Sequence, residues 1–162
     1  MISEKMSKAL NEQINKELYS AYYYLSMATF LDHQNLEGMA NFLKHQAQEE
    51  VGHAMKIYNY LNEQGVRVTL EAIAKPRTDF SSAQQIFELG LEHEKTVTKS
   101  IHDLMTLALQ ENDYASKAFL DWFVSEQVEE EATFDGIVSK FKMSGGQGHA
   151  LLMLDAQLGQ RS

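Results

Sequence analysis

The chain has 162 residues, 44% hydrophobic and 23% charged, which is typical of a soluble globular domain with a core of its own. Its formal net charge of −9 argues against nucleic acid or an anionic membrane surface as a partner and favours cationic ligands. Because there are no cysteines, disulfides and cysteine-bound zinc or iron–sulfur sites are excluded. No apolar run is long enough to span a membrane, and the amino terminus opens on an amphipathic pattern without a signal peptide. A cytoplasmic protein is therefore expected.

Four long helical patterns and a short fifth one cover most of the sequence. One proline and nine glycines leave long runs free of helix breakers. Candidate amino-terminal caps are Asn35 for the second helix and Ser81 or Ser82 for the third. The fourth helix starts near Asp113, and Gly65 is a candidate helix end. The predicted helices span about 3–33, 36–64, 82–110, 113–143 and 147–158. Residues 65–80 are predicted to form a connecting segment.

The lengths of the connections predict how the helices are arranged. Two or three residues join the first helix to the second and the third to the fourth, so each pair is antiparallel. The segment between the pairs spans roughly 53 Å at about 3.3 Å per residue, whereas a 28-residue helix is roughly 42 Å long. That segment can therefore cross the bundle from end to end. The prediction is an all-α fold, a single domain over 1–162 with a four-helix bundle, one long crossover and a short fifth helix.

The fifth helical pattern, 147–158, is mostly apolar although four helices already close a bundle. We expect neighbouring subunits of a homo-oligomer to bury it. Packing against its own bundle is the alternative.

Polar side chains interrupt the apolar face of each long helix near its middle. They are Glu17, Glu50, His53, Glu94, Gln127 and Glu130. Along the chain, the separation of Glu17 from Glu50 equals the separation of Glu94 from Gln127. Adding one constant to the residue numbers of the polar residues on the first two helices gives the positions of the polar residues on the last two. The two halves of the bundle thus present matched polar sets, which predicts a pseudo-twofold axis through its centre.

Four buried carboxylates need compensating positive charge, because a buried unpaired carboxylate costs several kcal/mol. No lysine or arginine falls on these faces, so protonation or two divalent cations must supply it. Glu50 and His53 form a Glu-x-x-His pair, which places oxygen and nitrogen donors on adjacent turns of one helix face. A lone pair of this kind is more often a hydrogen bond than a metal site, but the matched second half favours metal. Oxygen-rich ligands with one imidazole suit iron or manganese, and a bridged pair of such metals can reduce dioxygen by two electrons.

Four segments of the sequence resemble the non-haem bacterial ferritins, and the resemblance covers the whole chain. They are NKELYSAYYY (15–24), QAQEEVGHAMK (46–56), LEHEKTV (91–97) and WFVSEQVEEE (122–131). The resemblance implies a ferritin-like fold and an iron store that oxidises Fe(II) with dioxygen or hydrogen peroxide. It also implies a cage of twenty-four subunits, with the fifth helix at fourfold axes.

The resemblance further implies the roles of individual residues. One iron is bound by Glu17, Glu50 and His53. The second is bound by Glu50, Glu94 and Glu130. A third, weaker iron is bound by Glu49, Glu126, Glu129 and Glu130. Gln127 lies beside the paired irons, Glu50 bridges them, and Tyr24 supplies an electron, with Trp122 nearby.

The sequence departs from two related groups of proteins. Bacterioferritins carry a haem-binding methionine just before the Glu-x-x-His histidine, where this chain has Val51 and Gly52, so we expect no haem. Animal-type ferritins place acids of a threefold iron channel where this chain has Lys117 and Leu120. Two alternative functions remain, a cage that only nucleates mineral and a diiron peroxidase. The second usually carries a cysteine-rich electron-transfer module, and this chain has no cysteines.

Overall fold

The computed structural model describes residues 1–161, which form five α-helices and no β-strand. The helices are α1 (Glu4–His33), α2 (Glu37–Glu63), α3 (Ala83–Gln110), α4 (Tyr114–Ser144) and α5 (Gly148–Leu158). α1 packs against α2, α3 against α4, and α1 also contacts α3. The all-α prediction is confirmed. No helix within the described residues is long and apolar enough to cross a membrane.

The ends of the helices follow from local hydrogen bonding. Ser82 and Asp113 cap α3 and α4, because each side-chain oxygen accepts a bond from a backbone N–H three residues on, at 3.1 and 3.0 Å. Asn35 is not the cap of α2, so that prediction was wrong. It has a φ of 61° in the turn after α1, and Leu36 precedes α2 without a side-chain cap bond. Asparagine tolerates this left-handed conformation, which the short turn requires.

The long connection between α2 and α3 runs beside α1. Its backbone at Thr69 exchanges two hydrogen bonds with the side chain of Asn11, at 2.6 and 2.8 Å. Val66 and Val68 pack against the hydrophobic core, whereas Leu70 is exposed. The crossover is therefore attached to the bundle by backbone hydrogen bonds and a short apolar edge.

Two hydrophobic clusters fill the bundle, one towards each end. The first contains Tyr24, Leu43, Phe87, Phe134 and Phe141 among others. The second contains Leu10, Ile57, Leu61, Ile101 and Phe123 among others. On every long helix the residues of the first cluster lie on one side of the polar positions and those of the second on the other. The polar residues thus form a layer between two apolar cores, where little bulk water can reach them.

The short helix α5 contacts α2 and α4. Leu154 and Leu158 are buried in the first cluster, and Asp155 Oδ1 accepts a bond of 2.8 Å from the backbone N–H of Met39. The opposite face of α5 exposes Leu152 and Met153, each 61% accessible. One face of α5 therefore packs on its own bundle, and the expected contact with neighbouring subunits concerns the other face.

Candidate metal centre

The polar layer places one or two functional side chains from each long helix at the centre of the bundle. All six residues that the sequence singles out are buried: Glu17, Glu50, His53, Glu94, Gln127 and Glu130. They are buried because the apolar face of each helix continues on both sides of them. A short turn joins the two helices of each pair, and the polar residues have the same spacing in both pairs. This spacing brings the polar residues of the two paired helices to the same level along the bundle.

One group of candidate ligands consists of Glu17, Glu50 and His53, whose donor atoms lie within 4.8 Å of one another. Nδ1 of His53 is 3.1 Å from Oε2 of Glu50 and 3.8 Å from Oε2 of Glu17. Oε2 of Glu17 is buried and accepts no hydrogen bond from any described residue. An orphaned, buried carboxylate oxygen is costly unless a cation or proton occupies the space in front of it. This group therefore fits a metal ion.

A second group consists of Glu50, Glu94 and Glu130, again with donor atoms within 4.8 Å of one another. Glu94 is held on both sides, because Tyr24 donates to its Oε1 at 2.5 Å and Gln127 donates to its Oε2 at 3.1 Å. Glu50 belongs to both groups. The geometry thus offers two adjacent cation sites with a carboxylate placed to bridge them.

The structure brings together only part of the set expected for a third iron. Half-buried Glu126 groups with Glu130, and their third neighbour is His53. Glu49 and Glu129 are exposed and join none of the candidate groups in the described part of the chain. Glu49 instead forms an ion pair of 2.9 Å with Arg161. A site made by all four predicted acids stays a prediction.

Two buried glutamines that the sequence analysis assigned no role also contact the candidate ligands. Gln13 donates to Oε1 of Glu17 at 3.1 Å. Gln46 donates to Oε1 of Glu50 at 2.9 Å and to Oε2 of Glu130 at 2.7 Å. Each glutamine lies four residues before a candidate ligand on the same helix face. This four-residue spacing is the sequence signal that could have identified both glutamines.

Burial and mutual repulsion keep protons in this centre when no metal is bound. Burial, reinforced by the negative charge of Glu94, raises the pKa of Glu130 to about 8, and the pKa of Glu50 is also well above its usual value. Burial alone would lower the pKa of His53, but the adjacent carboxylates of Glu17 and Glu50 outweigh it and raise that pKa to about 11. Burial alone would raise the pKa of Glu17, but the neighbouring His53 outweighs this effect and the pKa of Glu17 is lowered. Near neutral pH the centre therefore contains both protonated and ionised groups. Divalent cations can replace its protons.

Two aromatic side chains adjoin the centre at different depths. Tyr24 is buried and touches Glu94, as described above. Trp122 is 39% exposed, its ring centroid lies 5.4 Å from that of His53, and Nζ of Lys56 lies 3.9 Å from its ring. Tyr24 is thus enclosed with the ligands, whereas Trp122 connects the His53 side of the centre with the surface.

His93 lies near the centre but belongs to none of the candidate ligand groups among the described residues. Its Nε2 lies 2.7 Å from Oγ of Ser20, and its ring meets that of Tyr24 edge-on at 5.7 Å between centroids. Burial lowers the pKa of His93 to about 4, so it is neutral and packs as a core residue.

A four-helix bundle with one long crossover and a central layer of glutamates and histidine defines the class of ferritin-like carboxylate bundles. A family model described as a ferritin-like domain matches residues 7–144. The chain belongs to the ferritin family of iron-storage proteins.

Relatives and solved structures agree with this assignment. Bacterial non-heme ferritins of Staphylococcus aureus and Staphylococcus saprophyticus are 40% and 42% identical over all 162 residues, which cover 98% and 97% of those proteins. An open pore ferritin from the hyperthermophilic archaeon Archaeoglobus fulgidus superposes with a TM-score of 0.98 and 49% identity, covering both chains completely. A form of the Archaeoglobus fulgidus ferritin engineered to be closed matches equally well.

Proposed function

We propose that this protein is a ferroxidase that oxidises Fe(II) at the polar layer and stores the product as ferric mineral. The main support for the proposal is the arrangement of the candidate ligands. Two groups of three candidate ligands share Glu50, and one of them contains the orphaned oxygen of Glu17. Two Fe(II) ions bound there would neutralise the four carboxylates and stand close enough to react with one oxidant.

The reaction follows from the ligand set. Each Fe(II) gives up one electron, and dioxygen takes up two electrons and two protons to become hydrogen peroxide. Hydrogen peroxide can itself accept two further electrons from another Fe(II) pair. Carboxylate oxygens stabilise the ferric product, because hard anionic ligands favour the higher charge. His53 contributes a neutral nitrogen once iron has displaced its proton. Tyr24, which contacts Glu94, can supply one of the electrons that dioxygen or hydrogen peroxide takes up, in place of one from Fe(II).

Storage of the ferric product depends on surfaces of the subunit outside the metal centre. Fe(III) leaves the centre, hydrolyses and collects in the cavity of a cage, for which we propose twenty-four copies of this chain. The exposed apolar face of α5 provides a contact between copies. The exposed acids Glu49 and Glu129, with half-buried Glu126, are candidates for a transit or third iron site. We propose a cytoplasmic location.

The storage claim is tested by loading. Metal-free protein receives several hundred Fe(II) per assembled particle in air, and size-exclusion chromatography with electron microscopy follows the outcome. Hollow particles of uniform size that gain electron-dense cores are the expected result. Iron that precipitates outside the particles, or a protein that stays monomeric, would contradict storage in a cage. A protein that loads iron no faster than a buffer blank would point to the alternative of a cage that only nucleates mineral.

A further inference from the structure

The residue Arg161, which follows α5, reaches back to α2 and is held there at several points. Its Nη1 donates to Oε1 of Gln46 at 3.0 Å and to the backbone oxygen of Phe42 at 3.2 Å. Its Nη2 pairs with Glu49 at 2.9 Å, and the guanidinium lies 4.3 Å from the Phe42 ring centroid. The side chain is only 20% accessible. These contacts fix the guanidinium next to the amide of Gln46.

The amide of Gln46 stands between Arg161 and two candidate iron ligands. An amide has one oxygen that accepts and one nitrogen that donates twice, whereas a guanidinium can only donate. The oxygen of Gln46 must therefore face Arg161. Both hydrogens on its nitrogen are then directed at Glu50 and Glu130, with which it bonds at 2.9 and 2.7 Å. A flipped amide would present its nitrogen to the guanidinium, which can only donate, and would lose the hydrogen bond with Arg161.

We propose that Gln46 is a positioning residue for Glu50 and Glu130, and that Arg161 acts through it by fixing the orientation of its amide. The inference rests on the proposed function, because it assigns Glu50 and Glu130 to the iron centre. Each of these carboxylates keeps one oxygen on Gln46, so its other oxygen has a defined direction before metal arrives. Hydrogen-bond partners that orient metal ligands typically account for about 10- to 100-fold in metal affinity. The carboxyl-terminal segment thereby becomes coupled to the centre.

Gln13 shows the same polarity of hydrogen bonding as Gln46. Gln13 donates to Glu17 at 3.1 Å, and its oxygen accepts from Oγ of Ser100 at 2.6 Å. Ser100 in turn accepts from Nζ of Lys16 at 3.0 Å. In both cases a cation outside the layer orients an amide whose nitrogen holds a candidate ligand. The Arg161 arrangement differs because no intermediate side chain stands between the cation and the amide.

Four single variants of the protein and one double variant test the inference. Arg161→Gln removes the cation, Arg161→Lys keeps one donor for the Gln46 oxygen, and Gln46→Leu removes the amide at similar volume. The matched control is Arg67→Gln, the same substitution at an exposed arginine of the crossover. Metal-free protein is titrated anaerobically with Co(II), whose absorption spectrum reports ligand geometry and whose stepwise affinities separate the two sites.

The expected result is weaker binding of the second Co(II), by about 10-fold, in both Arg161→Gln and Gln46→Leu, with a changed spectrum. Arg161→Lys should recover part of the loss, and Arg67→Gln should match the wild type. The double variant Arg161→Gln with Gln46→Leu should bind no more weakly than Gln46→Leu alone, because Arg161 acts only through the amide.

Additive losses in the double variant would overturn the inference, since Arg161 would then act independently of Gln46. An Arg161→Gln protein that binds like Arg67→Gln would overturn it as well. A wild type that binds two Co(II) yet oxidises Fe(II) no faster than buffer would refute the proposed function and leave the positioning test intact. A wild type that binds fewer than two Co(II) per subunit would refute both.

Discussion

The hydroxyl of Tyr24 donates a hydrogen bond to Oε1 of Glu94 at 2.5 Å. Burial and the negative charge of Glu94 raise the pKa of Tyr24 well above its usual value, so the tyrosine stays protonated and remains the donor. The contact joins an oxidisable ring to a candidate ligand of the second iron. An electron that leaves Tyr24 can be accompanied by transfer of its proton to Glu94 over this single bond.

Replacing Tyr24 by phenylalanine tests this contact. We expect Tyr24→Phe to keep the stoichiometry of two irons per subunit and to weaken binding of the second iron by about tenfold, because Glu94 keeps only its bond from Gln127. Freeze-quenched samples should also lose any tyrosyl radical signal in electron paramagnetic resonance. Tyr23→Phe is the matched control, since Tyr23 stacks on Tyr24 at 6.2 Å without touching a ligand. Equal effects of the two substitutions would contradict a special role for Tyr24.

Metal binding is expected to release protons and to weaken as the pH falls. In the metal-free protein the pKa of Glu130 is about 8 and that of His53 about 11, so both carry a proton at pH 7. A bound divalent cation requires both groups deprotonated, and affinity therefore rises with pH. We expect at least two protons released per filled centre at pH 7, measured by calorimetry with Co(II) in buffers of different ionisation enthalpy. Affinity that stays constant between pH 6 and 8 would count against these pKa shifts.

Removing the shared carboxylate should separate oxidation from folding. Glu50→Ala is expected to abolish the fast phase of Fe(II) oxidation, because Glu50 belongs to both ligand groups. Assembly and thermal stability should change little, since His53 keeps its contact of 3.8 Å with Glu17 and one buried acid fewer relieves repulsion. Glu71→Ala, at an exposed acid of the crossover, is the control for loss of charge alone. Failure of the Glu50→Ala subunits to assemble would show that Glu50 has a structural role.

Close packing of α3 on α4 beside the centre depends on Gly90. A Cβ at this position would lie 2.5 Å from Cε1 of Phe134, whose ring stacks on Tyr24 at 5.5 Å. Gly90→Ala should therefore destabilise the protein by about 1–3 kcal/mol in denaturant unfolding. Gly136→Ala meets nothing within 4 Å and should stabilise α4 by about 0.5–1 kcal/mol. A neutral Gly90→Ala would mean that Phe134 can move aside without cost.

The sequence predicted the fold class and the residues that meet at the centre for physical reasons. Apolar periodicity located the helices, and the equal spacing of Glu17 to Glu50 and Glu94 to Gln127 identified polar positions at one level of the bundle. Asn35 was misassigned because asparagine suits both a helix cap and a left-handed turn. Arg161 could not be connected to Gln46, since nothing in the pattern shows where a segment after the last helix returns. The absence of haem and the third iron site both stay predictions.

The central claim is most directly tested by adding Fe(II) to metal-free protein in air and following ferric absorbance by stopped flow. Increments from zero to six Fe(II) per subunit separate the centre from slower mineral growth. We expect a fast phase whose amplitude saturates near two irons per subunit, because two ligand groups share Glu50. Oxidation no faster than in protein-free buffer at every increment would contradict a working diiron centre.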